Sequence, residues 1–244
     1  HNWKGSLIAF SEDGNKLVYY DEPEKKYYSI DLKSNNKTII AKDIKYALFD
    51  EENDVPDDPN AYGIAKWTND NKHLIVYDRY DAWLVDANGL EKSIPLTNGR
   101  KNKISYRLIE TKEDRKSIAM TDTLLLRGFN EINKSESLSI LNIQYNKVQP
   151  IHTFDMHITS IIGAKNSNDL VVLKEDEHTA ANIYLYKLNS MAQNPLAITA
   201  INPQQSQYNW MNAEIVQWKA YTGKTVEGVL YKPEDFDPKK KYPM

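Results

Sequence analysis

One pattern occurs four times along the 244-residue chain: a polar turn is followed at once by a short apolar run. The first two turns, at residues 11–15 and 68–72, contain Asp-Gly and Asp-Asn, which tolerate the positive φ of a tight hairpin. The third copy begins at Lys112 and places its apolar run, the second strand of the third blade, at residues 118–120; a weaker fourth copy begins at Asn166. Because the apolar runs have strand length and are rich in β-branched and aromatic residues, each copy predicts a hairpin rather than a pair of helices.

Other short apolar segments lie before and after each turn, so that one repeat supplies about four strands. The turn residues Asp13, Asp70 and Asp114 are 57 and 44 residues apart, and the fourth copy starts 52 residues later. A β-propeller blade is a four-stranded sheet of roughly 40–50 residues, which matches this spacing. The repeat therefore predicts an all-β partial β-propeller, with about four blades of four-stranded antiparallel sheets plus a C-terminal hairpin.

Three irregular segments interrupt the repeat and are interpreted as insertions between strands. They cover residues 43–59, 127–136 and 190–207, and the second of them would lengthen the inner hairpin of the third blade. We expect helix in less than about a tenth of the chain, well below the globular average. Any helix should lie in residues 50–58 or 190–207.

The pattern changes from Ala213 onward. Two strands, at residues 213–220 and 225–233, flank a turn, and the prolines that follow each remove a backbone donor and so favour a connector over a central strand. We predict that residues 1–212 form propeller blades. Residues 213–244 would form the last propeller strands and a connector into an absent α/β-hydrolase domain, so that the chain would be a fragment of a longer protein.

The string EIVQWKAYTGKTVEGVLYKPEDFDPKKKYPM, at residues 214–244, resembles the start of the catalytic domain in the prolyl oligopeptidase (S9) family of serine peptidases. Residues 61–89 and 202–210 are similar to the propeller of its dipeptidyl-peptidase or acylaminoacyl-peptidase-like branch. The resemblance implies a non-catalytic propeller that gates the hydrolase site and admits short peptides. The parent protein would then be a serine-type peptidase, with short peptide substrates and its own catalytic domain as partners of the propeller.

The chain itself contains no G-x-S-x-G nucleophile elbow, and no catalytic residue is assigned. We therefore expect this chain alone to lack hydrolase activity. Two alternatives remain open: a free-standing propeller that binds a protein or peptide partner, and a propeller enzyme with its own pair of carboxylates, such as a glycosidase. The junction string favours the peptidase.

The acidic segment at residues 50–58 and an arginine near it supply the weak candidates for substrate binding. Glu51 and Glu52 form a carboxylate pair of the type with which dipeptidyl peptidases, by the same resemblance, hold a peptide amino terminus. Arg79 is a candidate substrate contact. The alternatives are a calcium site, which the spacing does not support, and a solvated acidic insertion. The interpretation favoured for Arg79 and its neighbours is a structural network at a blade edge.

Composition limits the partners that are expected. The net charge of −3 and the lack of a basic stripe argue against nucleic acid, and no apolar stretch approaches the ~20 residues of a membrane-spanning helix. With no cysteine, thiolate metal sites are excluded, and we expect neither a metal nor a cofactor. The periplasm and the cytoplasm both fit. An open arc of blades would expose two apolar faces, through which a second copy could associate.

Overall fold

The computed structural model describes residues 8–111, 115–190 and 194–242. These ranges contain β-strands and short 3₁₀ helices but no α-helix, and none of their helical segments has the length and apolarity needed to span a membrane. The strands are β1 (Ile8–Phe10), β2 (Lys16–Asp21), β3 (Lys26–Asp31), β4 (Asn36–Ile40), β5 (Ile64–Thr68), β6 (His73–Tyr77), β7 (Ala82–Asp86), β8 (Ile94–Pro95), β9 (Ile104–Ile109), β10 (Ser117–Ile118), β11 (Thr123–Asn130), β12 (Glu136–Asn142), β13 (Lys147–Phe154), β14 (His157–Gly163), β15 (Asp169–Glu175), β16 (Asn182–Lys187), β17 (Leu196–Ala197), β18 (Met211–Lys219) and β19 (Thr225–Pro233).

Four sheets have the strand order of propeller blades, because within each of them successive blade strands are neighbours. Their orders are β1-β2-β3-β4, β5-β6-β7-β8, β9-β11-β12-β13 and β14-β15-β16-β17, and β18 pairs with β19 in a separate hairpin. The pairing within each blade is antiparallel. The predicted all-β class, with four-stranded antiparallel blades and a C-terminal hairpin, is confirmed.

The chain divides into two compact units, at the end of β13. Unit 1 runs to Thr153 and holds the first three sheets, whereas unit 2 begins at Phe154 and holds the fourth sheet and the hairpin. In the hairpin the pairing is continuous from Met211↔Pro233 to Lys219↔Thr225, as the two strands predicted from residue 213 onward require. The assignment of residues 1–212 to propeller blades, and of residues 213–244 to the last propeller strands and a connector, stays a prediction.

Strand β6 lies at the centre of unit 1 and is buried on both faces. Its alternate residues enter two different apolar clusters: Leu74 packs with Val18 and Trp67, and Ile75 packs with Leu124 and other residues of the third sheet. Alternation along a strand sends successive side chains to opposite faces, so one strand joins three sheets through their cores. Complete burial of a single Leu side chain stabilises a fold by about 1.5–3 kcal/mol.

The first two predicted turns have the same atomic structure. Ser11 Oγ donates to Asp13 Oδ1 at 2.6 Å and accepts from the N–H of Lys16, and Thr68 Oγ1 makes the matching bonds to Asp70 and His73. The next residue in each turn has positive φ, 68° at Gly14 and 58° at Asn71, as predicted. The third predicted turn, at residues 112–114, lies outside the described residues.

The second strand of the third blade was predicted at residues 118–120, and this prediction is wrong. That strand is β11, whose eight residues pair with β9 on one side and β12 on the other. The two residues of β10 instead pair in parallel with β5, at Ser117↔Trp67 and Ile118↔Thr68, and so add a fifth strand to the second sheet. The longer apolar run of β11 forms the second strand of the blade because it pairs with a strand on each side.

The insertions were also predicted only in part. Residues 127–130, assigned to an insertion, belong to β11, and the connection to β12 is a turn of five residues. Residues 50–58 contain no helix. Two 3₁₀ helices, Leu188–Ser190 and Pro203–Gln207, lie at or within the segment 190–207, whereas the third, Arg100–Asn102, lies in a connection for which no helix was predicted.

A polar clasp is found in unit 1 and again in unit 2, and it ties the start of a blade's third strand to the connection that leaves its fourth. In unit 1, Asp81 Oδ1 accepts from Thr97 Oγ1 at 2.7 Å and from the N–H of Gly99 at 2.5 Å. In unit 2, Asn182 Oδ1 accepts from Thr199 Oγ1 at 2.9 Å and from the N–H of Ile201 at 2.8 Å. Each threonine hydroxyl also accepts a backbone N–H from the third strand.

Candidate functional site

Three connections of unit 1 meet at the side chain of Arg79, in the turn between β6 and β7. Arg79 Nε and Nη2 donate to Oε1 and Oε2 of Glu131 at 2.9 and 2.8 Å. Arg79 Nη1 lies 2.7 Å from Oε1 of Glu52, and the Tyr80 hydroxyl donates to Glu131 at 2.7 Å. One guanidinium therefore joins the β4–β5 connection, the β6–β7 turn and the β11–β12 turn.

The turn that carries Arg79 is held by Asp78, whose side chain is fully buried. Asp78 Oδ1 accepts from the backbone N–H groups of Tyr80 and Asp81, at 2.7 and 2.8 Å, and Oδ2 accepts from the Trp83 indole at 3.0 Å. Arg100 Nη2 approaches Oδ1 at 3.2 Å. A buried carboxylate is tolerated only when it is paired and hydrogen-bonded in this way.

Arg107, on β9, supports the same turn from the third sheet. Its Nη2 lies 3.2 Å from the carbonyl oxygens of both Asp78 and Arg79, and its guanidinium stands over the ring of Tyr77 at 4.6 Å. Burial lowers the pKa of Arg107 below its ordinary value. These contacts are those of a structural residue that orients the backbone below Arg79.

Electrostatics keep the Arg79 cluster charged. Burial alone would raise the pKa of Glu131, but the hydrogen bonds from Arg79 and Tyr80 outweigh it and hold that pKa below its ordinary value. Burial, followed by the bond to Glu131, raises the pKa of Tyr80 to about 12. The bond to Glu131, followed by that to Glu52, raises the pKa of Arg79. The Arg79–Glu131 pair is therefore ionised near neutral pH.

The structure brings together two of the three residues proposed from the sequence. Glu52 and Arg79 form an ion pair, whereas Glu51 is exposed, and its backbone N–H donates to the Tyr62 hydroxyl at 3.1 Å. The polar network predicted around Arg79 is therefore present. Among the described residues no three His, Cys, Asp or Glu side chains come together as a metal-binding group, in the acidic segment or elsewhere.

Sequence reasoning missed Glu131, which is the principal partner of Arg79. Glu131 lies in the turn that was singled out only as a lengthened hairpin, 52 residues from Arg79. The available signal was an acidic residue at a hairpin tip, and nothing in its spacing shows that the tips of two neighbouring sheets meet.

A cavity of about 740 Å³ lies in the same unit, beside the Arg79 cluster. Arg100 belongs to both features, because it pairs with Asp78 and also lines the cavity. The walls come from the connections before β5 and after β8, from the β6–β7 turn and from strands β7, β8, β9 and β13. Cavities of about 300–1,000 Å³ are typical of small-molecule sites.

No protein-family model and no curated protein sequence matches the chain. Solved structures are similar in fold. One is a protein assigned as a dipeptidyl aminopeptidase IV from Bacteroides ovatus, with a TM-score of 0.65 and 16% identity over 98% of this chain and 35% of that one. A puromycin hydrolase has a TM-score of 0.54 and 13% identity over 97% of this chain and 35% of that one.

An oligogalacturonate lyase solved in complex with manganese has a TM-score of 0.52 and 8% identity, over 96% of this chain and 67% of that one. At these identities the likeness shows the fold alone. The chain spans about a third of the length of the dipeptidyl aminopeptidase and of the puromycin hydrolase. The neighbours thus include a peptidase of the class that the junction string resembles, and the described residues contain blade sheets and a hairpin but no α/β-hydrolase sheet.

Proposed function

We propose that this chain is the substrate-gating, non-catalytic propeller region of a serine peptidase that hydrolyses short peptides. The observation that carries the proposal is the fold likeness, over 98% of the chain, to a protein assigned as a dipeptidyl aminopeptidase IV. The junction string at residues 214–244 supports it independently, because it resembles the start of the catalytic domain in the same family.

In this proposal the Arg79 cluster contributes to peptide binding through its exposed side. The Glu52 side chain is 69% exposed, whereas that of Glu131 is 23% exposed, so Glu52 is the carboxylate that a peptide amine reaches more easily. Glu51 is its exposed neighbour. Glu131 keeps Arg79 in place while Glu51 and Glu52 face a cationic amino terminus.

The test is the protein encoded by the whole gene. We expect an α/β-hydrolase domain with a G-x-S-x-G elbow to follow residue 244, and we expect hydrolysis of chromogenic dipeptide substrates that a serine-directed inhibitor abolishes. The 244-residue chain alone should not hydrolyse them. A gene that ends at Met244 would contradict the proposal and would favour the alternative, a free-standing propeller that binds a protein or peptide partner.

The contribution of the acidic pair is tested in the same whole protein. Glu51→Gln and Glu52→Gln should raise KM for dipeptide substrates with a free amino terminus and leave KM unchanged for the same substrates with an acetylated amino terminus. A matched control is Glu22→Gln, in the β2–β3 turn, which should change neither value. Equal KM values for wild type and both acidic-pair variants would show that the pair is a solvated insertion.

A further inference from the structure

The cavity beside the Arg79 cluster has cationic and aromatic walls, and this combination goes beyond the proposed peptidase function. Three cationic side chains line it: Lys45, Arg100 and Lys147. Tyr46, Trp83 and Tyr106 are its aromatic residues, and the rings of Tyr46 and Trp83 are 6.2 Å apart and tilted by 48°. All these residues belong to unit 1.

The positive charge of the cavity is not cancelled by its own acidic residue. Asp81 is the one acid among the described residues that line it, and Asp81 is buried within the clasp. Its carboxylate accepts from Thr97, from the N–H of Gly99 and, at 3.3 Å, from the N–H of Arg100. Arg100 is also paired with the buried Asp78, so the three cations Lys45, Arg100 and Lys147 outnumber two carboxylates, and the cavity favours an anionic ligand.

Arg100 is fixed before any ligand arrives. Its guanidinium stacks on Tyr46, with 3.9 Å from Cζ to the ring centroid, and lies 5.0 Å from that of Tyr80. Nε and Nη2 are fully buried, and Nη2 faces Asp78, yet neither nitrogen has a hydrogen-bond acceptor. Since Arg100 lines the cavity, Nη1 is the guanidinium nitrogen that an anion can reach.

We propose that this cavity binds an organic carboxylate that carries a flat apolar body. Arg100, Lys45 and Lys147 would meet the carboxylate, since charge-assisted hydrogen bonds are the strong ones. Tyr46 and Trp83 would cover the apolar body, as aromatic walls do in small-molecule sites. The same chemistry is found in a free aromatic acid and in the C-terminal residue of a peptide, and the experiment below separates the two sources.

The binding experiment is a calorimetric titration of the 244-residue chain with N-acetylphenylalanine, at low salt. Two matched probes test the charge and the apolar body of the ligand separately. N-acetylphenylalanine amide keeps the apolar body without the charge, and acetate keeps the charge without the apolar body. We expect saturable binding of the acid and at least about tenfold weaker binding of each control probe, the size of one charge-assisted bond. No saturable binding, or equal binding of the acid and the amide, would overturn the proposal.

Peptides then identify the source of the ligand. Gly-Gly-Phe with a free carboxylate is compared with N-acetylphenylalanine in the same titration. If the peptide binds more tightly, the cavity takes a peptide C-terminus, and if it binds more weakly or equally, the cavity takes a small aromatic acid. Both results support the carboxylate site, and neither depends on whether the parent protein is a peptidase.

A charge-matched pair of variants locates the site. The double variant Lys45→Gln/Lys147→Gln removes two exposed cations of the cavity, and we expect it to weaken N-acetylphenylalanine binding about tenfold. The control, Lys33→Gln/Lys72→Gln, removes the same charge from the β3–β4 and β5–β6 turns and should bind like wild type. Equal weakening in both double variants would show that only the net charge matters and would overturn the assignment.

Discussion

Arg79 joins two neighbouring sheets by donating from Nε and Nη2 to the two carboxylate oxygens of Glu131, at 2.9 and 2.8 Å. The Arg79 and Glu131 side chains are only 22% and 23% exposed. Two-bond pairing of a guanidinium with a carboxylate combines charge with a fixed geometry. The pair therefore holds the turn between β6 and β7 against the turn between β11 and β12, where nothing in the local sequence requires them to meet.

The first prediction concerns the strength of this pair. Arg79→Met, Glu131→Gln and the double variant form a double-mutant cycle, and we expect a coupling free energy of about 1–2 kcal/mol in favour of the pair. The measurement is urea unfolding of the four proteins followed by circular dichroism. A coupling free energy below about 0.3 kcal/mol, within the usual error of additivity, would show that the two turns are held by other contacts.

The second prediction uses Glu52 as the matched comparison. Glu52 also pairs with Arg79, at 2.7 Å, but its side chain is 69% exposed. Solvent screens exposed ion pairs, so the coupling between Arg79 and Glu52 should be below about 0.5 kcal/mol in the same unfolding assay. If Glu52→Gln destabilised the protein as much as Glu131→Gln does, the ranking of the two partners by burial would be wrong.

The third prediction is the pH dependence of the Glu131 contribution. The folded protein holds the pKa of Glu131 below its ordinary value of 4.5. Because the folded state binds this proton less readily than the unfolded state, the contribution is complete above pH 4.5 and is lost as the pH falls through the lowered pKa. The difference in unfolding free energy between wild type and Glu131→Gln should thus be constant from pH 6 to 7 and shrink below about pH 4. A difference that grows on acidification would contradict this assignment.

How far the sequence predicts this structure depends on whether a feature is local. The turns at Asp13 and Asp70 were predictable because each turn satisfies its own backbone within a few residues, and Gly14 and Asn71 supply the positive φ. The position of Ile118 was not predictable, because parallel pairing with β5 depends on a strand some fifty residues earlier. Hydrophobic alternation identifies a strand but does not show which other strand it pairs with.

The candidate site shows the same limit. The sequence singled out Arg79 and Glu52 by residue type and the acidic insertion by composition, but the contact of Arg79 with Glu131 depends on the packing of one blade against the next. The clasps were missed for another reason. Asp81 and Asn182 differ in residue type and are about a hundred residues apart, so the repeated hydrogen bonds are visible only in the three-dimensional structure.

The fourth prediction tests whether the two clasps contribute alike. Thr97→Val and Thr199→Val keep the side-chain shape but remove the hydroxyl that donates to Asp81 or Asn182 and accepts a strand N–H. Each should lower the unfolding free energy of its own unit by about 1–3 kcal/mol, because buried polar groups lose their partner. Thr97→Ser and Thr199→Ser, which keep the hydroxyl, are the controls and should retain most of the stability, as measured by amide hydrogen exchange in each unit.

The last prediction connects the clasp to the carboxylate cavity through Gly99. The Gly99 N–H donates to Asp81, and a Cβ at Gly99 would lie 2.0 Å from the carbonyl oxygen of Ile104, which is backbone and cannot turn away. Gly99→Ala should therefore shift the connection that carries Arg100, with a loss of about 1–3 kcal/mol in unfolding free energy.

The control is Gly14→Ala, where a Cβ meets open space but φ is +68°. That variant should lose only roughly 1–2 kcal/mol of unfolding free energy, the cost of a left-handed backbone conformation for a residue with a Cβ. It should bind N-acetylphenylalanine like wild type. Gly99→Ala should bind the acid more weakly even where the protein is fully folded, because Arg100 follows Gly99 directly and the displaced guanidinium no longer stacks on Tyr46. If folded Gly99→Ala bound the acid with wild-type affinity, Arg100 would not be part of the proposed carboxylate site.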